Sequence, residues 1–243
     1  MGSGLLVLLC VGGMRVGFIG ADDVPQTASP QTAWTELMVQ VTLLYRAQQY
    51  EKATVLAERA LTVAEEAFGP KDAVVAQTLN DLGHLYYLQG RHVQAEAAHR
   101  RALAIRKKVF APDDAAVIQS LSNVAKTVQA QGRYAEARPL FERSLHTLET
   151  QVGPEVPRVA AVLSDLAAGY LGEGRAADAE PLFKRAVGIM SQYPQAIYPD
   201  LVEILERYAA CALALGRHDD TQALRERAAA IRAARSRDKV SGE

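Results

Sequence analysis

The sequence has very few cysteines. Cys10 and Cys211 are the only two among 243 residues, and their separation gives no pair with the spacing of metal ligands. Two such distant residues also cannot build the disulfide framework of a small secreted domain. We therefore expect neither a disulfide scaffold nor a cysteine-based metal centre.

The sequence also lacks an excess of charge of either sign. The formal net charge is −1, which gives no reason to expect nucleic acid or an anionic membrane as the main partner. Aromatic residues make up only 6% of the chain, whereas apolar residues make up 49%. That apolar content is enough to offset the entropy of ordering, and the abundance of Ala, Leu and Arg favours helix over strand.

No apolar run is long enough to cross a membrane. The stretch at 4–20 is too short to span a bilayer and is interrupted by Arg15. Small residues follow it at Gly20 and Ala21, so we predict a signal peptide at 1–21, a flexible linker at 22–31 and export to the periplasm or medium. No Lys or Arg precedes the apolar run, however, and Arg15 lies inside it. The alternative is a cytoplasmic protein whose translation starts at Met14.

A regular internal repeat dominates the rest of the chain. Gly-Arg dipeptides recur every 42 residues, at Gly90, Gly132, Gly174 and Gly216. Other residue types keep the same period, which is the sequence signature of a repeat architecture. The leucine positions are Leu37, Leu79, Leu121, Leu163 and Leu205; the small-residue positions are Ala53, Ala95, Ala137 and Ala179, with Thr221 in the last copy.

Each copy has the pattern of two helices. In the second copy, Leu79, Leu82, Gly83 and Tyr86 share one helical face, and a second helical stripe starts at Ala95. Glycines such as Gly90 end the first helix because they accept a left-handed backbone conformation. Prolines then mark the link to the next copy, at Pro70, Pro112 and Pro154. Because one helix pair cannot bury its apolar stripe alone, the copies must stack.

These positions resemble the tetratricopeptide repeat. The 42-residue period is similar to the kinesin-light-chain subtype, as is the segment Gln131-Gly-Arg-Tyr-Ala-Glu-Ala-Arg-Pro-Leu-Phe141. The resemblance implies an all-α, right-handed superhelical solenoid of about five helix-turn-helix repeats over 32–236, followed by a disordered tail at 237–243. The repeats are expected at about 33–74, 75–116, 117–158, 159–200 and 201–236. The first and last copies depart from the pattern, as capping repeats do.

The same resemblance implies a concave groove lined by the first helix of each pair. Amide and hydroxyl side chains at such positions can bond a peptide backbone. The implied groove residues are Gln77, Asn80, Asp81, His84, Tyr87, Gln119, Ser122, Asn123, Lys126, Gln129, Ser164, Asp165, Leu171, Glu203, Glu206 and Arg207. Neither Met38 with Thr42 nor Asn80 with His84 supplies the first Lys–Asn pair of the clamp that binds a C-terminal carboxylate.

The sequence shows no arrangement typical of catalysis. His84, His92 and His99 could together bind a metal, but His99 stands in the position of Phe141 and Phe183, which favours a core role. Arg225, Arg232 and Arg235 fall on one face of the last helix, which we interpret as the charged outer face of a cap. We therefore expect no catalytic residues, no cofactor and no metal.

The sequence thus favours a non-catalytic scaffold that binds a peptide or partner protein in the groove, in an exported or envelope complex. The alternative is an intracellular adaptor or sensor module that regulates a separate effector chain.

Overall fold

The structure, a computed structural model, describes residues 10–11, 14–15, 29–193 and 198–241, with side chains over 29–193 and 201–234. These residues contain ten helices and two very short strands, which pair antiparallel. The strands are β1 Cys10–Val11 and β2 Met14–Arg15. The helices are α1 Pro30–Arg46, α2 Tyr50–Phe68, α3 Ala73–Leu88, α4 His92–Val109, α5 Ala115–Ala130, α6 Tyr134–Val152, α7 Pro157–Gly172, α8 Ala176–Ser191, α9 Tyr198–Ala214 and α10 His218–Ser241.

Capping residues, a proline and glycines explain where several of the helices begin and end. Asp72 and Asp114 each accept a hydrogen bond, 2.7 Å long, from a backbone N–H in the first turn of the helix that follows. Pro157 occupies the first turn of α7, where its missing N–H costs nothing. Gly90, Gly132, Gly174 and Gly216 all have positive φ between 72° and 76°, which lets the chain turn between the two helices of a repeat.

The ten helices form five pairs that stack in chain order. Each odd-numbered helix packs on the even-numbered helix that follows it and on the one that precedes it. We call α1, α3, α5, α7 and α9 the inner helices and the others the outer helices. The backbones of successive inner helices α3, α5, α7 and α9 approach one another. The described outer helices are joined mainly by long side chains, as in the Arg101–Glu65 and Arg185–Glu149 ion pairs. The stack is therefore curved, with the inner helices on its concave side.

Small residues lie where the helices approach most closely. Ala53, Ala95, Ala137 and Ala179 are all fully buried, and Leu121, Leu163 and Leu205 lie beside them in the core. Close packing of backbones leaves no room for a larger side chain at the alanine positions. The all-α repeat solenoid predicted from the sequence is confirmed.

Polar residues replace apolar ones at both ends of the stack. Gln40 of α1 stands at the position of the buried Leu82, Val124 and Leu166 in later repeats. At the other end, the exposed Arg225 and Arg232 stand where the preceding repeat buries Phe183 and Met190. These substitutions are where the terminal copies depart from the repeat pattern, and among the described residues no further repeat packs on their outer faces.

The predicted domain boundaries are only partly covered. Most of the predicted signal peptide and linker lies outside the described residues; Ser29 and Pro30 are described, and there Ser29 caps α1. Helix α10 continues to Ser241, so residues 237–241 are helical where the sequence predicts a disordered tail. None of the described helices combines the length and the apolar character that crossing a bilayer requires.

Candidate functional site on the concave face

The predicted groove residues all lie on inner helices. They occupy equivalent positions 42 residues apart, so the same place on successive helices carries Asp81, Asn123, Asp165 and Arg207. Their exposure divides them into three groups. Gln77, His84, Gln119, Glu203 and Glu206 are exposed; Asp81, Tyr87, Ser122, Asn123, Lys126, Gln129, Leu171 and Arg207 are half-buried; Asn80, Ser164 and Asp165 are buried.

Charged side chains connect three inner helices across the groove floor. Asp165 of α7 accepts a 2.8 Å hydrogen bond from Arg207 of α9, and its other oxygen lies 2.8 Å from Nζ of Lys126 on α5. That second contact is a charge pair rather than a well-directed hydrogen bond, since Oδ2 of Asp165 has no such partner. Arg207 also bonds Glu203. Attraction to Asp165 raises the pKa of Lys126, which keeps the ammonium charged.

Amide side chains link the second and third repeats. Asn123 donates a 2.7 Å hydrogen bond to Asn80, so the buried Asn80 is part of the groove floor. Gln129 donates to the backbone carbonyl of Asp165 at 3.1 Å. A Cβ at Gly169 would lie 2.7 Å from Oε1 of Gln129, so the glycine makes room for this side chain. These amides are held in place by the protein itself, and Asn123 and Gln129 remain half-buried rather than fully buried.

Two predicted serines face the protein rather than the groove. Ser122 shares a 2.7 Å hydrogen bond with Ser144, which lies on the outer helix of the same repeat. Ser164 is only 2% exposed and contacts Arg207 at 3.4 Å. Ser122 thus belongs to the packing of its own helix pair, and Ser164 to the contact between α7 and α9, because the hydroxyl groups find partners inside the solenoid.

An aromatic cluster lies at the carboxyl ends of α1 and α3. The hydroxyl of Tyr45 lies 3.2 Å from Nε2 of His84, and Tyr87 packs against His92 with ring centroids 5.3 Å apart. Burial, and to a lesser extent the charge of Lys126, lowers the pKa of His84. Sequence reasoning named His84 and Tyr87 but missed Tyr45, which occupies the position of Tyr87 in the first repeat.

A buried arginine beneath the groove was also missed. Arg106 of α4 is 3% exposed and donates to Gln77 at 2.7 Å and to Gln119 at 3.3 Å. The groove therefore contains two glutamines whose carbonyl oxygens are already engaged. The signal was present in the sequence, because Arg106 stands at the position of Leu148 and Met190 in the next two repeats.

The histidines do not converge on a metal site. His99 is 3% exposed and its ring lies against Gly83, in the core position predicted for it. Within the described residues, no group of three or more His, Cys, Asp or Glu side chains is placed to hold a metal ion.

Comparisons with known proteins agree with this architecture. The family model for the tetratricopeptide repeat matches residues 31–108 and 112–192, together more than half of the chain. No curated protein matches the sequence closely enough to count as a relative.

Several solved structures are similar to the chain. BtubC (BKLC) from P. vanneervenii is 24% identical, with a TM-score of 0.70 over 85% of this chain and 82% of that one. A putative kinesin light chain from Podosopora anserina, with nearly identical TPR-like repeats, is 20% identical, with a TM-score of 0.70 over 86% of this chain and 99% of that one. The Rap conjugation gene regulator of plasmid pLS20, in complex with the Phr* peptide, is 16% identical, with a TM-score of 0.69 over 91% of this chain and 60% of that one. With five stacked helix pairs, the 42-residue period and the family model in agreement, the chain belongs to the tetratricopeptide-repeat family.

Proposed function

We propose that this protein is a non-catalytic scaffold that binds an extended peptide segment of a partner protein in its groove. The observation that carries the proposal is the row of amide and charged side chains on successive inner helices. Asn123, Lys126, Gln129 and Arg207 are each held by a neighbouring repeat and remain partly accessible.

The geometry suits an extended chain. Amides offer both donors and acceptors, so Asn123 and Gln129 can bond a peptide backbone irrespective of its sequence. Because their side chains are already positioned by internal hydrogen bonds, little rotamer entropy is lost on binding. The Rap regulator, which has a similar fold, was solved with a bound peptide.

The compartment is a second part of the proposal. We propose export, since residues 1–21 have the pattern of a signal peptide. The alternative is an intracellular adaptor or sensor that acts on a separate effector, with translation starting at Met14. N-terminal sequencing of the protein isolated from its native cells distinguishes the two: a start near Asp22 supports export, and an intact Met1 or a Met14 start supports the alternative.

Groove binding is tested by crosslinking the tagged protein in its native cells and identifying the captured partners by mass spectrometry. The groove variant is Asn123→Ala/Lys126→Ala/Gln129→Ala, which removes three half-buried side chains of this row and spares the buried Asp165. The matched control, Gln94→Ala/Lys107→Ala/Glu142→Ala, changes three exposed residues on outer helices. We expect a partner that is captured by the wild type and the control but lost from the groove variant. Equal capture by all three proteins would place binding elsewhere on the molecule.

A further inference from the structure

One junction between repeats differs in chemistry from those that follow it. Arg106 of α4 meets Ser120 of α5 at 3.0 Å, at the junction of the second and third repeats. One repeat further along, the equivalent positions hold Leu148 and Val162, and after that Met190 and Ile204. These four apolar side chains are buried in one continuous hydrophobic cluster. The second junction thus has a charged group and a hydroxyl where the next two junctions are apolar.

Arg106 is stabilised there by neutral acceptors. Its guanidinium donates to Gln77, Gln119, Ser120 and the backbone carbonyl of Ala116. Among the ion pairs of the described residues it has none. Burial lowers its pKa, and the more distant charges of Asp81 and Asp114 only partly oppose that effect. A buried charge without a carboxylate in contact contributes little net stability to the junction.

His99 adds a second polar group on the same outer helix. It stands where the next repeats bury Phe141 and Phe183. Its ring is 3% exposed, yet Nδ1 has no hydrogen-bond partner. An unsatisfied buried nitrogen weakens the packing around it. The His99 ring lies against Gly83 within the second repeat, so we call Arg106 and Ser120 alone the polar seam.

The hydrophobic core divides at the polar seam. The buried apolar residues of α5 belong to the cluster that extends to α10. Those of α4 belong to the two clusters of the first and second repeats, apart from Leu103, which joins the larger cluster.

Ion pairs at the surface do not explain this division. Glu96 and Arg133 join the second and third repeats at 2.7 Å, but Arg138 with Glu173, and Arg217 with Glu180, join later repeats in the same way. Exposed pairs of this kind contribute little to stability. The difference between the junctions therefore lies in the buried layer.

We infer that the polar seam divides the solenoid into two cooperative units, the first two repeats and the last three, which open against each other. In a repeat protein, stability is a sum of repeat and junction terms, so the weakest junction sets where cooperativity breaks. Opening at the seam exchanges the hydrogen bonds of Arg106 for hydrogen bonds to water. The Asn123–Asn80 bond crosses the seam in the groove floor, so opening widens the groove there. The inference does not depend on the proposed function.

The single tryptophan provides a probe of one unit. Trp34 packs edge-on against Phe68 with ring centroids 6.3 Å apart and donates to Thr78 at 2.9 Å, so its fluorescence reports on the first two repeats. Far-ultraviolet circular dichroism reports on all the helices. In a urea titration of the wild type, we expect the unfolding midpoint followed by tryptophan fluorescence to differ from the midpoint followed by circular dichroism by about 0.5 to 1 M urea. Coincident midpoints would overturn the inference.

A matched pair of variants tests the cause. Arg106→Leu/Ser120→Val reproduces the Leu148–Val162 junction and should bring the two midpoints together. The control, Leu148→Met/Val162→Ile, reproduces the Met190–Ile204 junction and should leave the difference between the two midpoints unchanged. A gap that persists in Arg106→Leu/Ser120→Val would assign the division to something other than the seam.

Hydrogen exchange covers the case in which Arg106→Leu/Ser120→Val does not fold. In the wild type, the amides of α1–α4 should exchange as one group and those of α5–α10 as another. A single exchange group spanning all ten helices would refute the inference.

Discussion

Replacing His99 and Gly83 together should stabilise the protein. The two residues form one packing unit, in which a Cβ on Gly83 would lie 2.6 to 2.9 Å from three atoms of the His99 ring. The next two repeats solve the same packing problem with Ala125 beside Phe141 and Ala167 beside Phe183, and all four residues are fully buried. The double variant Gly83→Ala/His99→Phe copies that solution into the second repeat.

The expected gain has two sources at neutral pH. Removing a buried nitrogen that lacks a partner relieves roughly 1–3 kcal/mol, and replacing a mid-helix glycine by alanine contributes about 1 kcal/mol. Gly83→Ala alone should instead destabilise by about 1–3 kcal/mol, because the added methyl group overlaps the imidazole. We therefore expect the double variant to gain about 2 kcal/mol of unfolding free energy and the single variant to lose a similar amount.

The gain should grow at acidic pH. Burial, together with the neighbouring charges of His84 and Arg106, lowers the pKa of His99 from 6.5 to about 4. Between those values the unfolded chain binds a proton that the folded protein excludes, so stability falls as the pH falls. Because one pKa unit corresponds to about 1.4 kcal/mol, the full effect of His99 is about 3.5 kcal/mol. His99→Phe removes this contribution to the pH dependence of stability.

Urea denaturation followed by circular dichroism, at pH 7.5 and pH 5, measures both effects. The wild type should lose about 2 kcal/mol between these conditions through His99, and the double variant should retain that part of its stability. The reciprocal variant Ala125→Gly/Phe141→His in the third repeat should acquire the acid sensitivity. A double variant that is less stable than the wild type, with an unchanged dependence on pH, would refute the reasoning.

Three further predictions concern backbone, charge and packing. Gln48 has a φ of 58° at the position where later repeats have glycine, so Gln48→Gly should stabilise by about 0.5–1 kcal/mol and Gly90→Gln should destabilise by a similar amount, as measured by thermal denaturation. Asp165→Asn leaves Lys126 and Arg207 without their shared carboxylate and should lower the free energy of unfolding by about 2 kcal/mol. The loss is no larger because both cations are partly solvated. A loss of stability that does not shrink in 1 M salt would contradict the charge argument. Ala137→Leu should cost roughly 1–3 kcal/mol by overpacking, whereas Ala135→Leu on the exposed side of α6 should be nearly neutral.

The fold was predictable because the same residue pattern recurs in every copy of the repeat. One Gly-Arg dipeptide would be a weak sign of a helix end, but four of them spaced 42 residues apart predict a turn in each copy. The structure has positive φ at each of these glycines. The starts of the helices were less accessible. Asp72 and Asp114 cap α3 and α5, yet α7 begins with Pro157 and has no side-chain cap, so no single residue type marks that boundary.

The groove was predictable only as a set of helix positions. The period places Asn80, Ser122 and Ser164 at equivalent points, and the structure shows that all three engage neighbouring side chains. Whether a polar residue at such a point faces solvent or a partner depends on which residue the next repeat supplies. Ser122, for example, meets Ser144 across its own helix pair, a contact that no 42-residue period encodes.

A polar residue at an apolar position of the repeat has opposite consequences at different places in the stack. At the ends, Gln40 and Arg225 meet solvent, and their polarity keeps the terminal faces from presenting a bare apolar layer. In the middle, His99 and Arg106 occupy such positions with protein on both sides, so each must find partners or remain unsatisfied. Arg106 finds four acceptors at the junction with the third repeat, whereas His99 leaves Nδ1 unpaired inside the second repeat. Each weakens packing that an apolar residue would strengthen. The position of a polar residue in the stack, rather than its type, thus decides whether it caps a terminal repeat or weakens a junction between repeats. The Asn123–Asn80 hydrogen bond crosses the polar seam in the groove floor, so a weak junction there would change the shape of the groove.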